Sequence, residues 1–261
     1  MAAQSSSGIP GTNNQWTSIT RESRTEPFDL QVARGQIGGH SIVSIFGYQA
    51  SVGTTSIPVW ENASTYTYPT SASTLTVVSS STSDVSPAAV FVNGLDSNFN
   101  PVSEVVVLNG TTGVTTSKSY FRINGFQMVG VASGQTSNVG TITIKQTTNT
   151  LAQINAGVGK SQSTIYTVPA NNTFYLDIAE VNSSNSYTSS TILTYKVQAI
   201  NNVTGVALTV LQQPFVSIYT INRSTVPFTY TEKTDIQWQL ATSTSTVAAG
   251  VVIAGKLIAN A

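Results

Sequence analysis

Short runs of Val, Ile, Thr, Tyr and Phe, alternating with polar residues and closed by Gly, Asn, Ser or Pro, recur along nearly all of this 261-residue chain. Apolar residues at every second position share one face of a strand, and branched or aromatic side chains suit that pleated surface. In Thr141-Ile-Thr-Ile-Lys145 the pattern turns Ile142 and Ile144 to a core and the threonines outward. Leu, Glu, Lys and Arg, the strong helix formers, are scarce. The chain is expected to be all-β.

Strands are expected near 41–48, 57–60, 73–78, 88–94, 103–108, 120–131 and 139–146, and again near 163–168, 173–181, 191–200, 206–211, 216–221, 226–230, 235–240 and 248–257. Such spacing is typical of sandwiches and jelly rolls. Between the two series, residues 147–162 are polar and hold Gly157 and Gly159, which reads as a linker. The length allows one large β domain or two of about 100–130 residues. The expected organisation is two β-sandwich (jelly-roll-like) domains, 35–150 and 151–261.

The first 34 residues differ. They begin in Ser, Gly, Asn and Thr without periodicity, then gather six charged residues between Arg21 and Arg34. They are too few to bury a core, so the expectation is an extended N-terminal arm that gains order only against a partner. Trp16, Arg21, Arg24, Phe28 and Arg34 are its candidate docking residues.

Composition narrows the chemistry. Charged residues make up 8% of the chain, 11 acidic against 11 basic, where an ordinary soluble domain has roughly 25%. A neutral chain offers no basic footprint for nucleic acid and no polybasic stretch for anionic lipid. There is no cysteine, which removes disulfides, thiolate metal sites and thiol catalysis. One histidine, His40, cannot supply a two-imidazole metal site and has no marked nucleophile or carboxylate beside it. A structural role for it is expected. MAAQSSSGIPG lacks the basic and apolar regions of a signal peptide, and the apolar stretch 247–258 is short of the ~20 residues of a spanning helix. No cofactor, metal, nucleic acid or membrane is expected.

Three local patterns imitate functional motifs. Gly159-Lys160-Ser161 copies the end of a phosphate loop, but Ile154 stands where its first glycine belongs, and a strand rather than a helix follows. Asp96, Asn98 and Asn100 alternate like calcium ligands without the later glycine and glutamate, and a hairpin turn explains them as well. The sequons at Asn62, Asn109, Asn171, Asn182, Asn202 and Asn222 follow from a composition rich in Asn, Ser and Thr. Tyr66, Tyr68, Tyr187 and Tyr219 could form a sugar-stacking face, with core or interface packing as the simpler role. Glu61, Glu104, Asp177 and Glu180 are the carboxylates nearest to a hydrolase pair, and no spacing singles out two of them.

Two longer stretches carry a resemblance. The first runs through Val32-Ala-Arg-Gly-Gln-Ile-Gly-Gly-His40, Phe46-Gly-Tyr48, Ile57-Pro-Val-Trp60, Gly94-Leu-Asp-Ser-Asn-Phe-Asn100, Val105-Val-Val-Leu-Asn-Gly-Thr111 and Phe121-Arg-Ile-Asn124. The second holds Tyr166-Thr-Val-Pro-Ala170, Thr173-Phe-Tyr-Leu176 and Phe228-Thr-Tyr-Thr-Glu-Lys-Thr-Asp-Ile236. They resemble a family of β-rich virion structural proteins of cyanophages and other marine tailed phages. The resemblance implies a particle component and transfers no active-site residue. A cysteine-free, weakly charged β chain also suits assembly in a reducing host cytoplasm followed by exposure on a particle exterior.

The expected function is therefore non-enzymatic: a capsid decoration or cement protein that binds and bridges shell subunits. Its expected partners are the major capsid protein or other virion proteins, and its expected state is a homo-oligomer, a trimer in preference. The alternative is a tail-associated protein, either structural or a glycan-binding host-recognition module.

Overall fold

The computed structural model describes residues 26–62, 64–184, 191–216, 218–222, 227–244 and 246–260, with the side chains of 218–222 outside that description. Two compact units are present, one ending at Ile42 and the other beginning at Val43. Among the described residues the protein is all-β apart from one short helix.

That helix, α1 (Phe28–Ala33), lies where an extended arm was expected. Pro27 sets it up. Its φ of −51° suits a helix start, and its carbonyl accepts the N–H groups of Leu30 and Gln31 at 3.0 and 3.1 Å. Asp29 sits in the first turn, where a carboxylate favours the positive end of the helix dipole. Gly35, at φ +70°, ends the helix by donating to the Val32 carbonyl. Around it, Arg34 Nη1 pairs with Glu26 Oε1 at 2.5 Å, and the Phe28 ring meets the His40 ring edge-on at 5.8 Å.

The strands are β1 (His40–Val52), β2 (Ile57–Pro58), β3 (Thr76–Ser79), β4 (Val85–Leu95), β5 (Pro101–Asn109), β6 (Val114–Thr115), β7 (Arg122–Gly130), β8 (Ile142–Gln146), β9 (Asn149–Ile154), β10 (Ile165–Thr167), β11 (Asn172–Ser183), β12 (Leu193–Asn201), β13 (Ala207–Phe215), β14 (Ile218–Asn222), β15 (Phe228–Tyr230), β16 (Thr234–Thr242) and β17 (Val247–Ala259). They make four sheets. The orders are β1-β17-β11-β14 with β15 beside β11, β10-β16-β12-β13 with β2 beside β16, β6-β3-β8-β9, and β5-β4-β7.

Two large hydrophobic cores and one small one, of Leu95, Phe99 and Ala170, lie among these sheets. One is lined by β3, β8 and β9 against β4, β5 and β7, with Val77, Ile142, Ile144 and Ile154 meeting Val90, Val92, Leu108 and Phe126. Ile142 and Ile144 are fully buried, as their alternation requires. The other is lined by β11 and β17 against β12 and β16, through Phe174, Leu176, Val251 and Ile253 opposite Tyr195, Val197, Ile236 and Trp238.

The strands are not allotted in simple chain order. β1 joins β17, and β2 joins β16 through Ile57 opposite Leu240, so both pair with strands from the end of the chain. Gly47 is the reason β1 can pass there. A Cβ at that position would overlap the Thr164 methyl and come within 2.6 Å of the Val59 carbonyl oxygen. Nor is 147–162 a linker throughout. Residues 149–154 form β9, a hairpin partner of β8 that turns at Thr147 with φ +56° and buries Leu151, Ala152 and Ile154. Its three apolar residues are masked in sequence by interspersed Asn, Thr and Gln. The segment then turns at Gly157 and Gly159, both at positive φ, before β10.

The cores also share walls. Adjacent residues point to opposite sides, so Val59 and Tyr166 join one core while Trp60 and Ile165 join the other.

Candidate functional site

Strand β16 reads Asp235-Ile-Gln-Trp-Gln-Leu240, a strict alternation in which both faces are buried. Ile236, Trp238 and Leu240 face a hydrophobic core. Asp235, Gln237 and Gln239 face a polar layer on the other side, and there Asp235 meets Arg122 of β7.

Arg122 Nε donates to Asp235 Oδ1 and Nη2 to Asp235 Oδ2, both at 2.8 Å. Nη1 donates to the carbonyls of Pro69 and Phe121, and Nη2 also donates to Asn202 Oδ1 at 3.3 Å. All five guanidinium donors are thus engaged. Asp235 Oδ1 accepts a further hydrogen bond from Thr167 Oγ1 at 2.6 Å. The guanidinium carbon lies 4.0 Å from the Phe121 ring centre and 4.8 Å from that of Tyr68, so aromatic faces flank the cation as well.

Around this pair the layer continues as hydrogen bonds. Asn124 uses its amide like a strand backbone, donating to the Thr167 carbonyl and accepting the Thr167 N–H. Gln239 Nε2 donates to Gln198 and Gln237, and its Oε1 accepts from Ser56. Burial, with Asp235 nearby, pushes the Tyr68 hydroxyl far up from its ordinary value. The layer is a lock of paired polar groups.

A second surface faces solvent. On the outer side of β4 and β5, Ala89 lies opposite Val107, Phe91 opposite Val105, and Asn93 opposite Ser103. Val105 and Val107 are 56% and 50% exposed. These six positions carry no charge; Ala89 is buried and Phe91 half-buried, so Val105 and Val107 are the exposed apolar pair among them.

A third feature is a cleft of about 290 Å³ where residues 44–46 of β1 come near β7, β4 and 160–165. Its lining includes Ser44, Phe46, Phe91, Asn93, Gln127 and Lys160.

The residues singled out from sequence are dispersed. Trp16, Arg21 and Arg24 lie outside the described residues. Phe28 is 49% exposed, and Arg34 is tied to Glu26. His40 Nδ1 donates to the Gly38 carbonyl at 2.9 Å and its ring meets Phe28. The carboxylates serve the fold. Glu104 accepts from the Ser117 N–H and hydroxyl, the Lys118 N–H and the Tyr120 hydroxyl. Asp177 pairs with Lys256 at 2.6 Å, and Glu61 accepts the N–H groups of Asn155 and Gln162. Glu180 lies on β11.

The Asp96 loop is the expected hairpin turn, with Oδ1 accepting the N–H groups of Asn98 and Asn100. Its left-handed residue is Phe99 at φ +66°, however, and not an Asn or Asp. Packing of Phe99 against Phe121, with ring centres 5.2 Å apart, and against Ala170 offsets that strain. Among the described residues no group of three His, Cys, Asp or Glu side chains could hold a metal ion, and no helix is long and apolar enough to cross a membrane. Tyr66 is buried against Trp60 and Tyr68, which takes it out of any sugar-binding face. Tyr187 and the side chain of Tyr219 lie outside the description.

No family model and no curated protein matches this chain. Two solved structures are similar over much of its length. One is that of infectious bursal disease virus Gt strain, at 12% identity and a TM-score of 0.19, covering 90% of this chain and 78% of that one. The other, of T=1 particles derived from infectious bursal virus, has 12% identity and a TM-score of 0.13 over 91% and 84%. Likeness at that level extends to neither fold nor function.

Proposed function

We propose that the protein is a non-enzymatic structural component of a phage particle, a decoration or cement protein that bridges shell subunits. In this reading each core with its two walls is a jelly-roll-like β-sandwich, and the segment 1–34 is a docking arm. The observation that carries it is the pair of exposed valines, Val105 and Val107, on the outer face of β5, opposite the uncharged Phe91 and Ala89 of β4. A face without charge can be covered by a neighbouring subunit without desolvating ions. The occupant is an equally uncharged surface of the major capsid protein, and weak contacts multiply through the symmetry of a homo-oligomer, a trimer in preference. The resemblance to marine phage virion proteins supports a particle component.

The test is co-sedimentation with particles produced without this protein. The wild type should bind in hundreds of copies, and Val105→Asp with Val107→Asp should abolish binding while leaving the circular dichroism spectrum unchanged. Removal of 1–34 should weaken it strongly, and added salt only modestly, because exposed ion pairs contribute about 0–1 kcal/mol each. Binding by the double variant equal to that of the wild type would overturn the docking face. A copy number of a few dozen or fewer per particle would replace the head assignment with a tail one.

A further inference from the structure

The cleft beside β1 has a composition that the assembly role does not require. We propose that it is a binding site for an acidic sugar ring, one bearing a carboxylate or sulfate on a polyhydroxylated scaffold. The inference rests on the side chains of the cleft, which share Phe91 and Asn93 with the outer face of β4 but do not include the exposed valines of β5.

The polar residues of the lining fall into two groups. Asn124 is occupied at both ends of its amide by Thr167, and Ser163 Oγ accepts the Ile165 N–H. These hold the wall. Ser44, Asn93, Gln127, Lys160 and Ser161 line the same cleft, and among the described residues no hydrogen bond engages their side chains. Two amides, two hydroxyls and one ammonium therefore converge on a concave site with donors and acceptors to offer.

The apolar part of the lining suits a ring. Phe46 is 44% exposed although it lies on a strand. Phe91 is half-buried in the opposite wall. Aromatic faces with adaptable amides and hydroxyls around them match a sugar, whose C–H faces are apolar and whose rim is all hydroxyl. A volume near 290 Å³ stands at the lower end of small-molecule pockets, which are roughly 300–1,000 Å³, so it admits a short saccharide and not a large cofactor.

Charge sets the class. Lys160 is the one charged residue in the lining, and no carboxylate faces it there. It stands on the turn after Gly159, held by the Gly159 carbonyl accepting the Met128 N–H and the Phe126 carbonyl accepting the Ser161 N–H, so its backbone is fixed beside β7. An anion in the cleft pairs with the ammonium charge for charge, whereas a neutral sugar offers it only a hydroxyl acceptor.

The experiment is calorimetric titration of the full chain with four probes: a galacturonic acid tetramer, a sulfated galactan tetramer, a neutral galactose tetramer and sodium acetate. Saturable binding of one or both acidic tetramers is expected, at least about tenfold tighter than the neutral one, with no saturable binding of acetate. Which acidic tetramer binds distinguishes carboxylate from sulfate. Lys160→Ala, on an exposed turn, should weaken acidic binding about tenfold and neutral binding much less, and Phe46→Ala should weaken both. Gly125→Ala narrows the same wall, where its Cβ would lie 3.5 Å from Asn93, and should lower affinity without unfolding the protein. Val107→Asp, opposite Ala89 and outside the lining, should bind sugar like the wild type, which separates this site from the docking face. Absence of saturable binding at about 1 mM of either acidic probe, a preference for the neutral tetramer, or affinity unchanged in both Lys160→Ala and Phe46→Ala would overturn the proposal.

Discussion

The two faces of β16 are almost equally inaccessible and built of opposite materials. Ile236, Trp238 and Leu240 are fully buried on one side, and Asp235, Gln237 and Gln239 are at most 7% exposed on the other. Burying the first three is favourable in nearly any arrangement that excludes water, because hydrophobic association has little direction. Burying the second three is favourable in very few. The guanidinium of Arg122 must present all five donors to acceptors on β16, on the two segments that hold Pro69 and Phe121, and on Asn202 at once. The apolar faces thus supply stability, and the polar layer selects which way the strands meet.

Breaking the polar layer should have the largest effect. Asp235→Ala leaves a buried, unpaired guanidinium and should cost about 3–5 kcal/mol in urea unfolding. Replacing both partners, Arg122→Met with Asp235→Leu, should recover most of that loss, because an apolar pair needs no hydrogen bonds. A double variant as unstable as the single one would mean that the pair itself stabilises the fold rather than specifying it.

On the apolar face, Leu240→Ala should cost about 2–5 kcal/mol, depending on how far the site collapses around the cavity. The companion Leu240→Met should cost less than about 1.5 kcal/mol. Tolerance of isosteric change on this face, against intolerance of Asp235→Asn on the other, would sharpen the contrast. Equal sensitivity would erase it.

Gly47→Ala tests the place where β1 crosses. The new methyl meets the Val59 carbonyl and the Thr164 side chain, which donates from Oγ1 to the carbonyls of Val59 and Trp238. A loss of about 1–3 kcal/mol is expected, read as a lower midpoint with an unchanged urea slope.

The smallest effects should come from two carboxylates that titrate in opposite senses. At Glu61, burial raises the pKa, and the N–H groups of Asn155 and Gln162 only partly oppose it. At Glu104, burial also pushes upward, but the hydrogen bonds from Ser117, Lys118 and Tyr120 outweigh it and the pKa falls below the ordinary value. The Glu61 contribution to stability is full below its unfolded pKa and disappears as pH rises through the folded one. The Glu104 contribution is present above its unfolded pKa and disappears as pH falls through the folded one. Between about pH 3 and about pH 7, Glu61→Gln should therefore gain melting temperature relative to the wild type, and Glu104→Gln should lose it. Parallel drifts of the two variants would contradict these assignments.

Which features were legible in the sequence follows from how far each depends on distant residues. Ile142 and Ile144 announce a strand and its buried side within five residues, and the hairpin at Asp96 is written in Asp, Asn and Pro within seven. Helix α1 was missed because a single turn and a half carries no periodicity, although Pro27 before it and Gly35 after it were the available signals. β9 was missed because its apolar residues do not alternate and are interspersed with equal numbers of Asn, Thr and Gln. The cleft was not foreseen, because Phe46, Asn93, Gln127 and Lys160 come from four separate stretches and none is unusual alone.

By itself the sequence determined that this protein is built from strands, and along many strands it determined which residues turn inward, since the two-residue period of a strand is a property of the local backbone. It did not determine that Arg122 would meet Asp235, 113 positions later, or that β1 would close a sheet with β17. Those choices belong to the tertiary structure. A buried ion pair and a sheet ladder are completed by whichever distant group reaches them with its hydrogen bonds in the right directions, and only the packed chain brings that group within 3 Å.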